Sequence, residues 1–146
     1  MTSQANLVVP TLDYDSLQQA FPEVPSRMRR PFGSRVLVQI RTARTRTKSG
    51  FILPEEVRDT EQWNTQVGKI ISLGPVAFRN RDTLEPWPEG LWAGPGTYVR
   101  CPKYGGDRWQ EPVPGSSDLA LFVLFRDLDL GGEVAEEDVL DIVAYL

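Results

Sequence analysis

Two stretches of the chain alternate between apolar and polar residues with the period of a half-buried strand. The first carries Val36, Val38 and Ile40, and the second runs over residues 67–73. A period of two residues is typical of a strand that turns one face toward a core. Residues 41–66, which connect the two, follow neither a strand nor a helix pattern. A connection of this length inside a compact domain is uncommon, and such segments are usually functional or disordered.

This connection contains three consecutive large apolar residues, Phe51, Ile52 and Leu53, between polar flanks. Taken alone, a short apolar run of this kind is typical of a core strand. Its polar and charged flanks favour a second interpretation, an exposed segment that binds a partner. On that interpretation Gly50 supplies backbone freedom for a bound turn, and Pro54 stiffens the exit.

Two further apolar runs predict strands later in the chain. Residues 97–101 form a short strand that a proline stops, and a turn follows at residues 104–106. Residues 119–125 are apolar without interruption, which indicates a strand buried on both faces or covered by a neighbouring subunit. Residues 127–130 then alternate again, as in a strand.

Three segments fall outside the strand pattern. Residues 1–31 are polar and interrupted by prolines, with a short helix expected over residues 13–20. Residues 74–96 are rich in Gly and Pro, which favours turns. Residues 135–146 show apolar residues at helical spacing behind an acidic start that suits a helix N-terminus. The pattern as a whole predicts an all-β domain, most simply a small barrel, with short helical extensions at the termini.

Composition narrows the possible chemistry. The chain of 146 residues has no histidine, so the commonest metal ligand and the usual general base are missing. Its only cysteine, Cys101, excludes an intrachain disulfide and cannot build a zinc site alone. Adjacent acids such as Glu55 and Glu56 are more typical of solvated surface than of a catalytic pair. We therefore expect no enzymatic activity and no metal.

Charge is unevenly distributed along the chain. Residues 27–48 contain Arg and Lys but no acid, whereas residues 127–141 are strongly acidic. The net charge of -4 favours two solvated surfaces, or surfaces complementary between neighbouring subunits, over a nucleic-acid patch. The first residues lack the apolar core of a signal peptide, and no segment approaches the ~20 apolar residues that span a bilayer. We expect a soluble, cytoplasmic protein that binds neither nucleic acid nor membrane.

Four segments, in order, resemble the GroES family, the chaperonin-10 type co-chaperonins that cap group I chaperonin rings. Residues 32–38 resemble its opening strand, and residues 47–55 resemble its mobile loop, where a Gly-rich step precedes an apolar tripeptide. Residues 99–106 are similar to the strand and turn after its dome loop, and residues 124–131 are similar to its closing strand. Each motif alone is weak, but four in the right order are specific.

The resemblance implies a small GroES-like β-barrel over residues 32–134, with a mobile loop at 44–66 and an irregular dome loop at 74–96. An N-terminal extension, residues 1–31, and a C-terminal tail, residues 135–146, flank it. The extension has no counterpart in the family, and its residues do not decide whether it lines the chamber or braces the ring from outside. A bacterial virus is the expected source of such a diverged, extended member, with the host cytoplasm as its location.

The function implied by the resemblance is a non-enzymatic lid on a GroEL-type chaperonin. Gly50, Phe51, Ile52 and Leu53 are the expected chaperonin-binding residues. The chaperonin alone binds and hydrolyses ATP, so the lid needs no cofactor. The lid encloses a substrate protein for folding, and a viral capsid protein is a candidate substrate.

The resemblance also implies a homo-oligomeric ring of seven subunits, in which the closing strand of one subunit pairs with the opening strand of its neighbour. Val36 and Val38 on one side, and Leu128 and Leu130 on the other, offer alternating apolar residues for this interface.

Trp87 and Trp92 lie in the predicted dome loop. They form either an aromatic contact surface or the apolar cover of a barrel's end. Their turn-rich setting after the second predicted strand leads us to expect them near the dome top, facing the chamber.

Two other functions are weighed against the lid. The first is a viral structural or scaffold ring protein that has a GroES-like barrel and no lid activity. The second is an enzyme fragment, because medium-chain dehydrogenases contain a GroES-like domain. The chain has no Gly-rich phosphate loop, no room for a dinucleotide domain and no zinc ligands, which disfavours the fragment.

Overall fold

A computed structural model describes residues 16–42, 65–102 and 104–142. Its strands are β1 (Arg35–Ile40), β2 (Val67–Leu73), β3 (Tyr98–Arg100), β4 (Asp107–Pro112), β5 (Leu119–Arg126) and β6 (Gly132–Glu133). They form one antiparallel sheet in the order β4-β5-β1-β2-β3-β6. Helix among the described residues is limited to the four-residue α1 (Leu17–Ala20) and two 3-10 turns, Asp127–Asp129 and Glu136–Asp138. The prediction of a small all-β fold is confirmed.

Strands β4 and β6 were not predicted, for different reasons. Strand β4 is a polar edge strand that ends in proline, so it has no apolar run to reveal it. Trp109 is the one large apolar residue of β4, so the sequence shows no alternating apolar pattern there. Strand β6 has only two residues, and one of them is glycine. The predicted turn before β4 is present, and Gly106 holds a positive φ of 76° there.

Three element predictions need correction. Residues 127–129 form a 3-10 turn rather than a strand, because the Asp127 side chain folds inward and accepts backbone hydrogen bonds. The predicted C-terminal helix is only the turn Glu136–Asp138 in the described part, which ends at residue 142. Helix α1 begins at Leu17, where the Ser16 side chain caps it by accepting from the Gln19 amide at 3.2 Å.

One face of the sheet builds the main core of the domain. Alternate residues of β1 and β5 point into it and meet side chains from β2, β3 and the segment after β2. Its buried members are Val36, Val38, Ile40, Ile70, Ala77, Phe78, Val99, Cys101, Leu121, Val123 and Phe125.

The opposite face is covered by the N-terminal extension of the same chain. Residues 22–28 alternate between half-buried and exposed side chains, and Val24 and Met28 pack against a cluster that includes Leu37 and Phe122. The uninterrupted apolar run of β5 is explained, because both faces of this strand are covered within one chain.

Hydrogen bonds fasten the extension to the sheet. The Gln39 side-chain amide donates to the Pro22 carbonyl at 2.9 Å, and the Arg27 backbone amide donates to the Glu111 carboxylate at 3.2 Å. The described part of the extension therefore braces the sheet of its own chain.

Candidate functional site

The two ends of the 43–64 segment are held side by side at one end of the sheet. Ile40 and Gly68 are register partners in the β1–β2 pair, and the Arg41 amide donates to the Val67 carbonyl at 3.1 Å. We call residues 41, 42, 65 and 66 the loop root. The predicted binding residues Gly50, Phe51, Ile52 and Leu53 lie outside the described residues.

Three separate parts of the chain fasten the loop root. The Thr42 amide donates to the Ala20 carbonyl of α1 at 2.8 Å, and the Cys101 amide donates to the Gln66 carbonyl, also at 2.8 Å. The Arg41 guanidinium, which is only 1% exposed, donates through Nη1 to the Val139 carbonyl at 2.7 Å. The N-terminal extension, the segment after β3 and the C-terminal segment therefore all converge on the root.

Polar residues of the loop root are buried. Thr42 and Thr65 are 5% and 1% exposed, so both ends of the 43–64 segment begin from buried positions. Nearby, burial raises the pKa of the Cys101 thiol to about 12. The thiol is therefore neutral near pH 7 and fills space as a small apolar group, as the sequence predicts.

The dome loop leaves β2 at the opposite end of the sheet from the loop root. Strand β2 has seven residues, and a rise of about 3.3 Å per residue separates its ends by about 20 Å. The Gly74 amide donates to the Arg35 carbonyl at 2.8 Å, which ties the start of the dome loop to the start of β1.

A buried carboxylate fastens the dome loop to the end of β5. Asp127 has no exposed surface; it accepts from the Phe78 amide at 2.7 Å and from the Leu128 amide at 2.8 Å. Its side chain also forms an ion pair with Arg81. The hydrogen bond to Asp127 raises the pKa of the Arg81 guanidinium. Phe78 holds a positive φ of 60°, a costly conformation for a bulky residue, and its amide lies within this network.

Trp87 and Trp92 stack on each other, with ring centroids 5.7 Å apart and planes at 13°. The Trp92 ring also lies 5.7 Å from that of Phe78, which belongs to the buried core. This geometry supports the interpretation of the two tryptophans as a cover on the barrel's end. Their orientation toward a chamber stays a prediction.

The four predicted interface residues lie in different surroundings. Val36 and Val38 are fully buried in the core of one chain, and β1 is hydrogen-bonded on both edges, by β2 and β5. The structure therefore assigns these valines to the core rather than to a surface. Leu130 packs against the same core, whereas Leu128 is 53% exposed. Leu128 is the most exposed of the four, and a role of these residues in a subunit interface stays a prediction.

The described part of the chain holds no cluster of three or more Cys, Asp or Glu side chains suited to a metal ion. None of its helices has the length and apolar character needed to cross a bilayer.

Comparison with known proteins reveals one family. Residues 28–109 match the family described as the chaperonin 10 kDa subunit. The chain is 32% identical over 79 residues to the co-chaperonin GroES of Listeria monocytogenes strain CLIP80459, which covers 54% of this chain and 76% of that relative. Identity to the co-chaperonin GroES of Listeria welshimeri has the same values. The mitochondrial 10 kDa heat shock protein of Oryzias latipes is 29% identical over 106 residues, or 73% of this chain and 93% of the relative.

Proposed function

Because the chain belongs to the chaperonin 10 kDa subunit family, the co-chaperonins, we propose that it is the lid of a GroEL-type chaperonin. The segment Phe51, Ile52 and Leu53 binds the chaperonin, and the barrel closes a chamber that holds a substrate protein. The chaperonin supplies ATP hydrolysis, so the lid itself uses no cofactor. A cytoplasmic location, in the host if the source is viral, belongs to this proposal.

The observation that carries the proposal is the fastened loop root. Its two strands and three separate chain segments hold residues 42 and 65 at one end of the sheet, while the dome loop leaves from the other end. A lid needs this polarity, because its chaperonin contacts and its roof must lie on opposite sides. The root also transmits any force on the binding segment to the core of the barrel.

Energetics favour weak binding by each copy. Burial of each of the three large apolar side chains stabilises the complex by roughly 1.5–3 kcal/mol. Each residue that binding orders costs about 1–2 kcal/mol of backbone entropy. Repetition around a ring of seven raises the overall affinity by a factor of roughly 10² to 10⁴. The ring can then dissociate when the chaperonin changes shape and the individual contacts weaken.

The test is capture of the purified protein by a bacterial chaperonin with bound nucleotide, imaged as capped rings. We expect wild-type protein to cap the rings and Ile52→Asp to abolish capping, because a buried charge would replace an apolar contact. Thr60→Asp is the matched control, since it adds the same charge to the same connection outside the apolar triplet.

Ring assembly of each variant is measured separately by light scattering. Capture that is undiminished in Ile52→Asp would refute the binding role of the triplet. Absence of capture by the wild-type protein, together with its presence in purified viral particles, would favour the structural ring protein instead.

A further inference from the structure

A cavity of about 370 Å³ lies between the N-terminal extension and the sheet. The extension supplies one wall, with residues between 17 and 24, and three strands supply the floor. The floor residues are Gln39, Lys69, Ile71 and Tyr98. Small-molecule sites usually enclose roughly 300–1,000 Å³, so the cavity has room for a small ligand. Its extension wall precedes residues 28–109, the segment that matches the family, so the family match does not account for this cavity.

Three polar side chains form a row across the cavity floor. Gln39 of β1 is the register partner of Lys69 of β2, and Lys69 is the register partner of Tyr98 of β3. Directly opposed residues of antiparallel strands project their side chains on the same face, with Cβ atoms about 4.5–5.5 Å apart. The Lys69 side chain, which carries a positive charge, therefore lies between an amide and a hydroxyl.

The two neighbours of Lys69 are held in place by the extension. The Gln39 side chain is 3% exposed, and its amide nitrogen donates to the Pro22 carbonyl at 2.9 Å. The Tyr98 ring lies 5.2 Å from the ring of Phe21. Burial raises the pKa of the Tyr98 hydroxyl, and the charge of Glu136 raises it further. The hydroxyl is therefore protonated near pH 7 and can donate a hydrogen bond.

Apolar side chains line much of the remaining cavity wall. Leu17 packs with Phe21 in one cluster, and Val24 and Ile71 pack against another. The cavity therefore combines a cation and a hydroxyl donor with an apolar surface. A carboxylate suits these donors, because hydrogen bonds between charged partners are roughly twice as strong as neutral ones.

One acid, Glu23, also lines the cavity, from the exposed side of the extension. The structure describes both Glu23 and Lys69, and no ion pair joins these two residues. A carboxylate at this position repels a second negative charge on a ligand and attracts a positive one. It therefore favours a ligand with one carboxylate over a phosphate or a dicarboxylate.

We infer that the cavity binds a small molecule that carries one carboxylate on an apolar body, either a simple carboxylic acid or an α-amino acid. The ligand carboxylate accepts from Lys69 and from the Tyr98 hydroxyl, and the apolar body packs against the extension wall. This inference goes beyond the proposed function, because the site lies outside the chaperonin-binding segment.

Calorimetric titration of phenylpropanoate into the purified full chain, without chaperonin, tests the site. We expect saturable binding with a Kd of about 1 mM or lower, as suits a ligand of this size. Phenylpropanamide keeps the shape of the ligand without its charge, and phenylpropylamine reverses the charge. Each should bind at least about tenfold more weakly. Absence of phenylpropanoate binding, or equal binding of all three compounds, would overturn the inference.

Variants of the cavity locate the bound ligand. We expect Lys69→Gln to weaken phenylpropanoate binding by about tenfold or more, and Tyr98→Phe to weaken it by about fivefold. Arg79→Gln removes one cation from the dome loop and should leave the affinity unchanged. Gln18 is exposed and lines the cavity, so Gln18→Trp should block entry while Lys69 remains. Unchanged affinity in Lys69→Gln or in Gln18→Trp would refute binding at this site. Circular dichroism checks that every variant retains its β structure.

Comparison of phenylalanine with phenylpropanoate distinguishes the two sources of the carboxylate. Tighter binding of phenylalanine identifies an amino acid whose ammonium is attracted to Glu23, and Glu23→Gln should remove that preference. Tighter binding of phenylpropanoate identifies a simple acid. The outcomes also separate this site from the proposed function. Capping of a chaperonin by a chain that binds no carboxylate would overturn this inference alone, whereas carboxylate binding by a chain that never caps would overturn only the lid function.

Discussion

The loop root lies at the start of β2 and the dome loop begins at its end. Different interactions stabilise these two regions. Backbone hydrogen bonds and one buried arginine hold the root to three distant chain segments. An aromatic stack and the buried carboxylate of Asp127 hold the dome loop to the core. The dome loop therefore depends on its own side chains, whereas the root depends on three distant segments, two of them toward the chain termini.

Replacement of Phe78 by alanine tests the dome side most strongly. Phe78 is 2% exposed and joins the main core to Trp92, so truncation leaves a cavity. We expect a loss of about 3–5 kcal/mol in the free energy of unfolding, measured by urea denaturation. The matched control is Leu84→Ala, because Leu84 shares the positive φ and is 53% exposed. A comparable loss in both variants would mean that backbone conformation, not packing, governs this loop.

Removal of the Asp127 carboxylate is the second largest expected effect. Asp127→Ala leaves the amides of Phe78 and Leu128 without their acceptor. Hydrogen bonds to a buried charged group contribute more to the stability of the folded protein than those between neutral groups. We expect the free energy of unfolding to fall by about 2–3 kcal/mol and hydrogen exchange at the Phe78 amide to become faster. Unchanged exchange there would contradict the role of Asp127 in fastening the dome loop. Asp129→Ala, which removes a more exposed carboxylate from the same turn, serves as control.

On the other side of the comparison, Arg41→Met removes the donor to the Val139 carbonyl while keeping much of the buried volume. We expect the free energy of unfolding to fall by a smaller amount, about 1–2 kcal/mol. The local opening that accompanies it should occur at the root and the C-terminal segment. Hydrogen exchange should rise at Val139 and its neighbours and stay unchanged at Phe78. A uniform rise across both ends of the sheet would show that the root and the dome loop are not independent. Arg79→Met, in the dome loop, is the matched control.

The reactivity of the Cys101 thiol reports on the root in the wild-type protein, without any substitution. Its thiol has a pKa of about 12 because it is buried, and the thiolate is the reactive form. Alkylation at pH 8 should therefore be about 10³-fold slower than for a free thiol with a pKa near 8.5. Arg41→Met should accelerate alkylation if opening of the root exposes Cys101. Rapid alkylation of the wild-type protein would contradict the closed root.

Predictability differed among the elements for physical reasons. The sequence predicted strands β1, β2 and β5 because their apolar residues lie on the faces that the fold buries. Strand β4 escaped because its stability comes from pairing with β5 and from Trp109, whose indole donates to Glu111, rather than from an apolar run. The alternation of residues 127–130 led to a wrong prediction, because Asp127 is buried and accepts from the Phe78 amide of a distant loop as well as from the adjacent Leu128 amide.

By itself the sequence determined the all-β class, the long connection with its apolar triplet, the absence of histidine chemistry and the family. The first three follow from local periodicity and composition, and the family follows from the resemblance of four short segments in the right order. Only the tertiary structure decided that Val36 and Val38 are core, that the extension covers the sheet, and that Arg41 and Asp127 fasten opposite ends of the fold. Those facts depend on contacts between residues far apart in the chain, and no local pattern encodes which buried polar group meets which partner.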